Sequence, residues 1–318
     1  MRLLVTGASG FVGGHTLPAL AAAFPDAELI GCGDGAGMLR LDIADAAASR
    51  DLVARIRPAG IVHLAAIAAP AEARRDPGRA WAVNHAGTMA LAAALAQNVP
   101  RAAFVFASSA EIYGASFRDA AGRALDESAP IAPLTPYAAT KAAADLALAA
   151  LPGLAAVRLR LFNHTGPGQG ANFAVPAFAC QIARIEAGLQ APPLRAGRLD
   201  TARDFLDVRD VARAYALALG WALEGGRGAF NIASGRARRI GDVLASLFAL
   251  AGIAPQVESE PPPAEIAGGH AEILESRGDA SLARAVLGWE PVIPWETTLA
   301  DVLADWRLRV WESSKKQI

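Results

Sequence analysis

The sequence predicts an α/β fold with a doubly wound parallel sheet, and three observations carry that expectation. Short apolar runs alternate with helix-compatible segments through the first half of the 318-residue chain. Such alternation builds a parallel sheet whose two faces are covered by helices. The first run, Leu3–Thr6, opens directly into glycines at positions 7, 10 and 13. After Asn163 the texture changes to Gly- and Pro-rich stretches between shorter runs, which reads as a smaller α/β part interleaved with the first.

Taken in order, Leu3–Thr6 is the first strand, followed by a helix around Phe11–Phe24 and a strand at Glu28–Cys32. Met38–Asp42 reads as a short third strand, Ala46–Ile56 as a helix that stops before Pro58, and Ile61–Ala65 as the next strand. Arg79–Gln97 reads as one long helix, Ala103–Ser108 as a strand, Thr135–Leu151 as a helix closed by Pro152 and Gly153, and Ala155–Phe162 as a strand. Further on, His164–Asn172 is a Gly/Pro-rich loop, Val175–Gly188 is helical, and Ala191–Asp200 carries prolines and an arginine-rich turn. Val208–Trp221 reads as a helix and Ala229–Ala233 as a strand that rejoins the sheet. Ser259–Gly269 is a linker or loop, and Leu299–Trp311 a final amphipathic helix. This divides the chain into a first domain over 1–162, to which 204–234 returns, and a second over 163–203 and 235–318.

Composition narrows the function classes. With 53% apolar residues the chain can bury one large core or two modest ones. A formal net charge of -1 gives no electrostatic reason to expect nucleic acid or an anionic membrane as partner. Cys32 and Cys180 make neither a disulfide framework nor a metal-ligand pattern, which suits a reducing cytoplasm and no metal. No uninterrupted apolar stretch reaches the ~18 residues of a membrane span, and the N-terminus lacks the apolar region of a signal peptide. The expectation is a soluble cytoplasmic protein.

Glycines spaced three apart between a strand and a helix permit a tight turn, close approach of a diphosphate, and close helix–strand packing. The helix start adds exposed amides and a dipole that favour an anion. Gly7, Gly10 and Gly13 therefore predict a dinucleotide seat. Asp34 lies about 20 residues beyond them, where a carboxylate binds the adenosine ribose and repels a 2′-phosphate. It favours NAD over NADP, its alternative being a turn residue in Gly33-Asp34-Gly35; Arg40 is the one nearby cation for a phosphate.

Thr135 and Pro136 suit the cap and first position of a helix that puts Tyr137 and Lys141 four apart on one face. A tyrosine near pKa 10 exchanges protons poorly at neutral pH, and a nearby ammonium brings that value down. Ser108 ends the strand Ala103–Ser108 and Ser109 follows it, at the edge where a parallel sheet meets its ligand crevice. A serine hydroxyl there can donate to a carbonyl and orient the tyrosine.

The motifs Thr6-Gly-Ala-Ser-Gly-Phe-Val-Gly13, Ser108-Ser-Ala-Glu-Ile-Tyr-Gly114 and Tyr137-x-x-x-Lys141 resemble the extended short-chain dehydrogenase/reductase superfamily, the NAD-dependent epimerase/dehydratases. His63-Leu64-Ala65-Ala66 and Asn84 match it too. The resemblance implies a Rossmann-type fold and nucleotide-sugar chemistry on bound NAD, with NADP possible, in a homodimer. It implies Ser109, Tyr137 and Lys141 as the catalytic triad. Ser109 would polarise a sugar carbonyl, Tyr137 pass the proton, and Lys141 hold the ribose and depress the tyrosine's pKa. For the cofactor it implies contacts from Gly7, Gly10, Phe11, Val12 and Gly13, then from Asp34, Asp42 and Ile43 beyond the second strand. Further contacts would come from Leu64, Ala65, Ala66, Asn84, Ala107 and Phe162.

Leu161-Phe162-Asn163-His164-Thr165-Gly166-Pro167-Gly168-Gln169, the segment Phe178–Gly188 and the run Arg203-Asp204-Phe205-Leu206-Asp207-Val208-Arg209-Asp210-Val211 are similar to the GDP-6-deoxy-D-mannose reductases. That similarity implies a 4-keto-6-deoxy nucleotide sugar as substrate, with Asn163 and Arg203 on its diphosphate and Ser109 and Glu111 beside the sugar. Arg203 suits phosphate geometry as a bidentate fork, its alternative being a salt bridge to Asp204 or Asp207. His164 reads as structural. Three positions depart from those reductases: they often carry a basic residue at the place of Asp34. They carry an arginine where this chain has Pro261-Pro262-Pro263-Ala264-Glu265, which leaves Arg277 as its replacement. Glu111 stands where related 4,6-dehydratases hold a base, but Ala110 leaves the dehydratase pair incomplete. Reductase therefore ranks above 4-epimerase, and 4-epimerase above dehydratase; a non-catalytic dinucleotide-binding sensor is the rival from another class.

Overall fold

The computed structural model describes residues 1–259 and 273–315. Strands β1 (Arg2–Thr6), β2 (Glu28–Cys32), β3 (Gly60–His63), β4 (Ala103–Ser109) and β5 (Ala155–Leu161) come first. They alternate with helices α1 (Phe11–Ala23), α2 (Ala46–Ile56), α3 (Pro70–Arg75), α4 (Pro77–Trp81), α5 (Thr88–Asn98), α6 (Ser116–Asp119) and α7 (Pro136–Ala150). Then follow β6 (Asn163–Thr165), α8 (Ala174–Glu186), β7 (Leu194–Ala196), β8 (Ala202–Asp207), α9 (Val208–Leu223) and β9 (Gly228–Ile232). The last elements are β10 (Ala237–Arg239), α10 (Ile240–Ala251), β11 (Val257–Ser259), β12 (Glu275–Ser276), α11 (Ser281–Leu287) and α12 (Trp295–Lys315).

The main sheet has the order β2-β1-β3-β4-β5-β9, all neighbours parallel. Its central strands are buried on both faces, which is why Leu3–Val5 and Ala103–Phe106 read as unbroken apolar runs. One core packs α1 and α9 against one face, with Leu20, Tyr215 and Leu219 in its centre. The other face packs on α2, α5 and α7 through Leu52, Val53, Leu91, Leu95 and Leu148. Because the chain moves from β1 outward in opposite directions to β2 and β3, a crevice opens beyond their carboxyl ends.

A smaller sheet, β10-β8-β12 with β6 also on β8, and the pair β11-β7 occupy the second part. Phe178, Ile182, Leu244, Leu247, Leu299 and Leu303 give α8, α10 and α12 a separate core there. As the sequence predicts, the segment after α9 returns to the main sheet, where β9 pairs with β5. The return starts at Val208 rather than at residue 204, since Asp204–Asp207 belongs to β8 in the small sheet.

Two sequence expectations are corrected. Met38–Asp42 is not a strand: it meets the edge strand β2 through one bridge at Leu39 and then turns. The turn wins because Asp42 accepts from the Ala44 amide and Asp45 caps α2 through Ala47 and Ala48. Arg79–Gln97 is not one regular helix either, since a π-helical turn over Ala82–Gly87 separates α4 from α5. The predicted linker Ser259–Gly269 lies outside the described residues after Ser259.

Candidate active site

The crevice is built by the ends of β1, β3 and β4. Gly7 has φ +69°, the left-handed region that glycine enters without strain. A Cβ on it would lie 2.7 Å from the Ala65 amide nitrogen, and one on Gly13 would lie 2.4 Å from the Gly7 carbonyl oxygen. Only glycine allows this approach of turn, helix and neighbouring strand. Gly10 caps α1 with no side-chain bond, so the first-turn amides keep their capacity for an anion. These features fit a dinucleotide diphosphate. Leu64 donates to the Thr6 carbonyl at 3.1 Å and Ala65 to the Thr6 hydroxyl at 3.3 Å, which brings Leu64, Ala65 and half-buried Ala66 to the same edge. Asp34 follows β2 at the surface, its amide donating to the Ser9 hydroxyl at 3.1 Å. Asp42 pairs with Arg79 at 3.1 Å, and Ile43 is buried beside it.

Several candidates are used for packing. His63 is buried between the Thr6 and Thr88 hydroxyls, at 2.7 and 2.9 Å, and burial followed by the nearby Lys141 charge pushes it down to about 3. Asn84, in the π turn, accepts from the Ile67 amide at 2.8 Å and donates to the Ile67 carbonyl and the Thr140 hydroxyl, both at 3.1 Å. Phe162 is 1% exposed and fills the core beside Phe117 and Gly278, so its ring offers no face to a cofactor. Val12 packs on the main core, and Phe11 stacks on His164 at a centroid distance of 6.3 Å.

Thr135 and Pro136 begin α7 as the sequence predicts, the Thr135 hydroxyl accepting from Ala138 at 3.1 Å. Successive residues at the end of β4 face opposite sides. Ser108 turns to the buried carboxylate of Asp145 at 2.6 Å, whereas Ser109 hydrogen-bonds to Tyr137. Glu111, one short turn on, donates its amide to the Ser109 hydroxyl at 3.2 Å and receives a hydrogen bond from Thr135. Burial raises its carboxyl above the ordinary range, opposed by the charges of Arg203 and Arg74.

The electrostatics differ from expectation. Lys141, 3% exposed, donates to the Ala107 carbonyl at 2.8 Å and lies 4.8 Å over the Phe106 ring. Burial pushes it down to about 7. The Tyr137 phenol is pushed up, by burial first and then by the Glu111 carboxylate, with the Ser109 hydrogen bond opposing. Lys141 does not depress the tyrosine, because its ammonium is committed to a carbonyl and costly to keep charged.

A cavity of about 580 Å³ lies between the β6–α8 loop, β7, β8 and the start of α10. Asn163, His164 and Arg203 line it, as do Arg195 and Arg198 from the arginine-rich turn. Ser109, Tyr137 and Lys141 are not among its lining residues; Arg203, which lines it and also faces Glu111, joins the two places. Residues 173–177 at the N-terminus of α8 open on the cavity with no side-chain cap from Phe173. Arg203 donates to the carbonyls of Ala202 and Leu274, at 2.8 and 3.4 Å. Its alternative partners are engaged elsewhere: Asp204 by Ser234, Gly235 and Gly278, and Asp207 by Arg209 and Thr298. His164 donates Nδ1–H to the Phe162 carbonyl at 3.0 Å, and burial lowers its pKa. Arg277 pairs with Glu275 at 3.6 Å and does not line the cavity. The sequence reading missed Arg195, Arg198, the start of α8 and Arg74; the density of arginine between the prolines and β8 was the available signal for the first two.

Among the described residues no helix is long and apolar enough to cross a membrane, and no group of three or more His, Cys, Asp or Glu is placed to hold a metal. Comparison with known proteins agrees with the geometry. The chain is 35% identical over 315 residues to GDP-6-deoxy-D-mannose reductase of Pseudomonas aeruginosa, covering 98% of this chain and 99% of the relative. It is 31% identical over 314 residues to UDP-glucose 4-epimerase of Rhizobium meliloti, covering 91% and 92%. The solved structure of RMD from Pseudomonas aeruginosa complexed with NADPH matches with a TM-score of 0.83 and 33% identity, over 97% of this chain and 99% of that one. A family model matches residues 3–233, from the first strand to the end of the returning one. With the glycine cradle at one end of that span and the Ser–Tyr–Lys cluster within it, the chain belongs to the NAD dependent epimerase/dehydratase family, the NAD(P)-dependent extended short-chain dehydrogenase/reductases.

Proposed function

We propose that this enzyme is an NAD(P)H-dependent reductase of a 4-keto-6-deoxy nucleotide sugar of the GDP-4-keto-6-deoxymannose type. The observation that carries the reading is the cluster where the end of β4 meets the start of α7, with the Tyr137 phenol beside Ser109 and Glu111 and its pKa pushed up by burial and then by the Glu111 carboxylate. A protonated phenol is the form that reduction of a ketone needs, since the developing alkoxide must receive a proton. The 35% identity to a reductase over nearly the whole chain supports the same choice.

In this reading Ser109 donates a hydrogen bond to the sugar carbonyl and Tyr137 gives its proton to that oxygen. Lys141 exchanges the Ala107 carbonyl for the ribose hydroxyls. The seat for the dinucleotide is Gly7, Gly10 and Gly13 with the start of α1, bordered by Phe11, Leu64, Ala65, Ala66 and Ala107. When bound, the nicotinamide supplies the hydride. Asp34 favours NADH by accepting from ribose hydroxyls and repelling a 2′-phosphate. Asn163, Arg203 and the uncapped start of α8 seat the diphosphate, with Glu111 beside the sugar. Residues 1–162 with 208–234 carry the cofactor, and the rest carries the substrate. We expect a cytoplasmic homodimer through the Ala-rich faces of α5 and α7, where Leu146 is 54% exposed. Light scattering would show twice the mass of the chain.

The test is incubation with NADH or NADPH and a panel of 4-keto nucleotide sugars, with products identified. Oxidation of one NADH per sugar consumed, faster with NADH than with NADPH, is the expected result. Interconversion of 4-epimers without net oxidation would make the enzyme an epimerase. Cofactor binding with no turnover on any sugar nucleotide would make it a sensor.

A further inference from the structure

The start of α1 touches two sites at once. Phe11 is the first residue of that helix, next to the glycine turn, and its ring stacks on His164 at an interplanar angle of 9° and a centroid distance of 6.3 Å. His164 lines the cavity of the second part. We propose that Phe11 and His15 form a clasp through which an occupied dinucleotide seat raises the affinity of the cavity for its ligand, with His15 as a positioning residue. This rests on reading the cavity as the seat of a nucleotide sugar.

The clasp holds the segment 164–169 from the cofactor side. One helical turn after Phe11, His15 donates from Nε2 to the Pro167 carbonyl at 2.8 Å, and its ring meets the Phe11 ring edge-on at 5.7 Å. Gly168, at φ +95°, packs into the same place: a Cβ on it would lie 3.7 Å from Phe11 Cδ2 and 3.9 Å from His15 Nε2. Helix α12 holds the segment as well. The Gly168 amide donates to Asp305 at 3.0 Å, and Arg309, paired with Asp305 at 2.8 Å, donates to the Gln169 carbonyl at 3.1 Å.

Between these holds the segment is closed on itself. Gln169, 5% exposed, accepts from the Thr165 hydroxyl at 2.7 Å and donates to the His164 carbonyl at 3.3 Å. His164 in turn donates to the Phe162 carbonyl at 3.0 Å. The segment therefore moves as one piece, and His164, Thr165 and Gln169 present it to the cavity, with Asn163 just before it. Neither His15 nor Pro167 lines the cavity, so His15 acts on it only through the segment.

The Gly10 cap leaves the first amides of α1 without a side-chain partner, Phe11's among them, and these are the donors that a dinucleotide diphosphate takes up. A diphosphate held there restrains the first turn, and the stack and the His15 bond pass the restraint to 164–169. One wall of the cavity is then ordered before the second ligand arrives, so its ordering no longer counts against binding. A coupling of this kind is reciprocal.

The test is calorimetric titration of the full-length protein with GDP, alone and with saturating NADH, with the melting temperature as a control. The wild type is expected to bind GDP about 5-fold or more tightly with NADH present, and NADH more tightly by the same factor with GDP present. His15→Ala should bring both factors close to one while NADH affinity without GDP holds. His15→Gln, whose amide can still donate to the Pro167 carbonyl, should recover part of the factor. A loss of GDP affinity in His15→Ala that is equal with and without NADH would make His15 purely structural and overturns the proposal. Should that variant not fold, Phe11→Leu, which keeps apolar bulk but not the stacked ring, takes its place, and a full wild-type factor there overturns it too. So does a wild-type GDP affinity that NADH leaves unchanged or weakens; in each of these cases the reductase reading stands. A wild type that binds NADH but not GDP overturns the reading of the cavity and the clasp with it.

Discussion

Tyr137, Glu111 and Lys141 are each shifted by burial, and the Glu111 carboxylate adds to the shift at Tyr137. Burial and the Glu111 carboxylate both push the Tyr137 phenol up, so it is fully protonated at neutral pH. Tyr137→Phe removes the donor and should lower kcat by about 100-fold or more, with cofactor affinity retained. Glu111→Gln removes a charge that disfavours the phenolate. Tyr137 then loses its proton more easily, so the alkaline limb of the kcat/KM profile for reduction should move to lower pH. An unmoved limb in that variant would place the limb on another group. Lys141 gives a stability signature of its own. Burial takes it from its ordinary 10.5 to about 7, so between these values the unfolded chain holds a proton that the folded one lacks. Stability from this group therefore rises as pH increases from about 7 toward 10.5 and is lowest below that window. Lys141→Met should flatten that rise in urea melts of the ligand-free protein.

At the scale of elements, the helix α7 delivers Tyr137 and Lys141 together, and Asn84 fixes where α7 lies. Its amide spans from the loop after β3, at Ile67, to Thr140 on α7, from inside the π turn. Replacing Asn84 by alanine removes the partner of the part-buried Ile67 amide and carbonyl and leaves a gap at a fully buried side chain, at a cost of about 2–3 kcal/mol. The midpoint of chemical unfolding should fall accordingly, and kcat should fall with it as α7 loses its register against the loop. The π turn itself was not legible. A run of Ala, Val, Asn, His and Gly fits a regular helix as well as a widened one, and local propensity carries no sign of the extra residue in the turn. Tyr137 and Lys141 were legible because Thr135 and Pro136 start the helix unambiguously and the spacing of four fixes a shared face. The strand expected at Met38–Asp42 failed for the opposite reason. Its apolar residues look right in isolation, but the Asp42 and Asp45 side chains satisfy the backbone as a turn and a helix cap.

For the whole molecule, the parallel sheet was readable because α1, α2, α5 and α7, each at least 11 residues long, separate its first five strands and show a pattern. The small sheet was not: β6, β8, β10 and β12 have two to six residues and come from segments far apart in the chain. Their pairing is fixed by tertiary contacts, and Asp204 makes the decisive one. Its buried carboxylate accepts from the Ser234 amide at 2.8 Å, the Ser234 hydroxyl at 2.6 Å, the Gly235 amide at 2.9 Å and the Gly278 amide at 3.2 Å. It thereby ties β8 to the segment leaving β9 of the main sheet and to the segment after β12. Arg203 and Phe205, its two chain neighbours, line the cavity. Asp204→Ala would strand three backbone amides and a hydroxyl, a loss of at least about 3 kcal/mol. The loss falls on the second part of the molecule, because the glycine cradle and the β1–β5 core make no use of Asp204. Hydrogen exchange should therefore accelerate at 202–207, 234–239 and 275–278 while β1 and β4 keep their protection. In titrations the same variant should lose affinity for GDP at least ten-fold more than for NADH. Equal losses for the two ligands would show instead that the sheets unfold as one unit and that Asp204 serves the whole molecule alike.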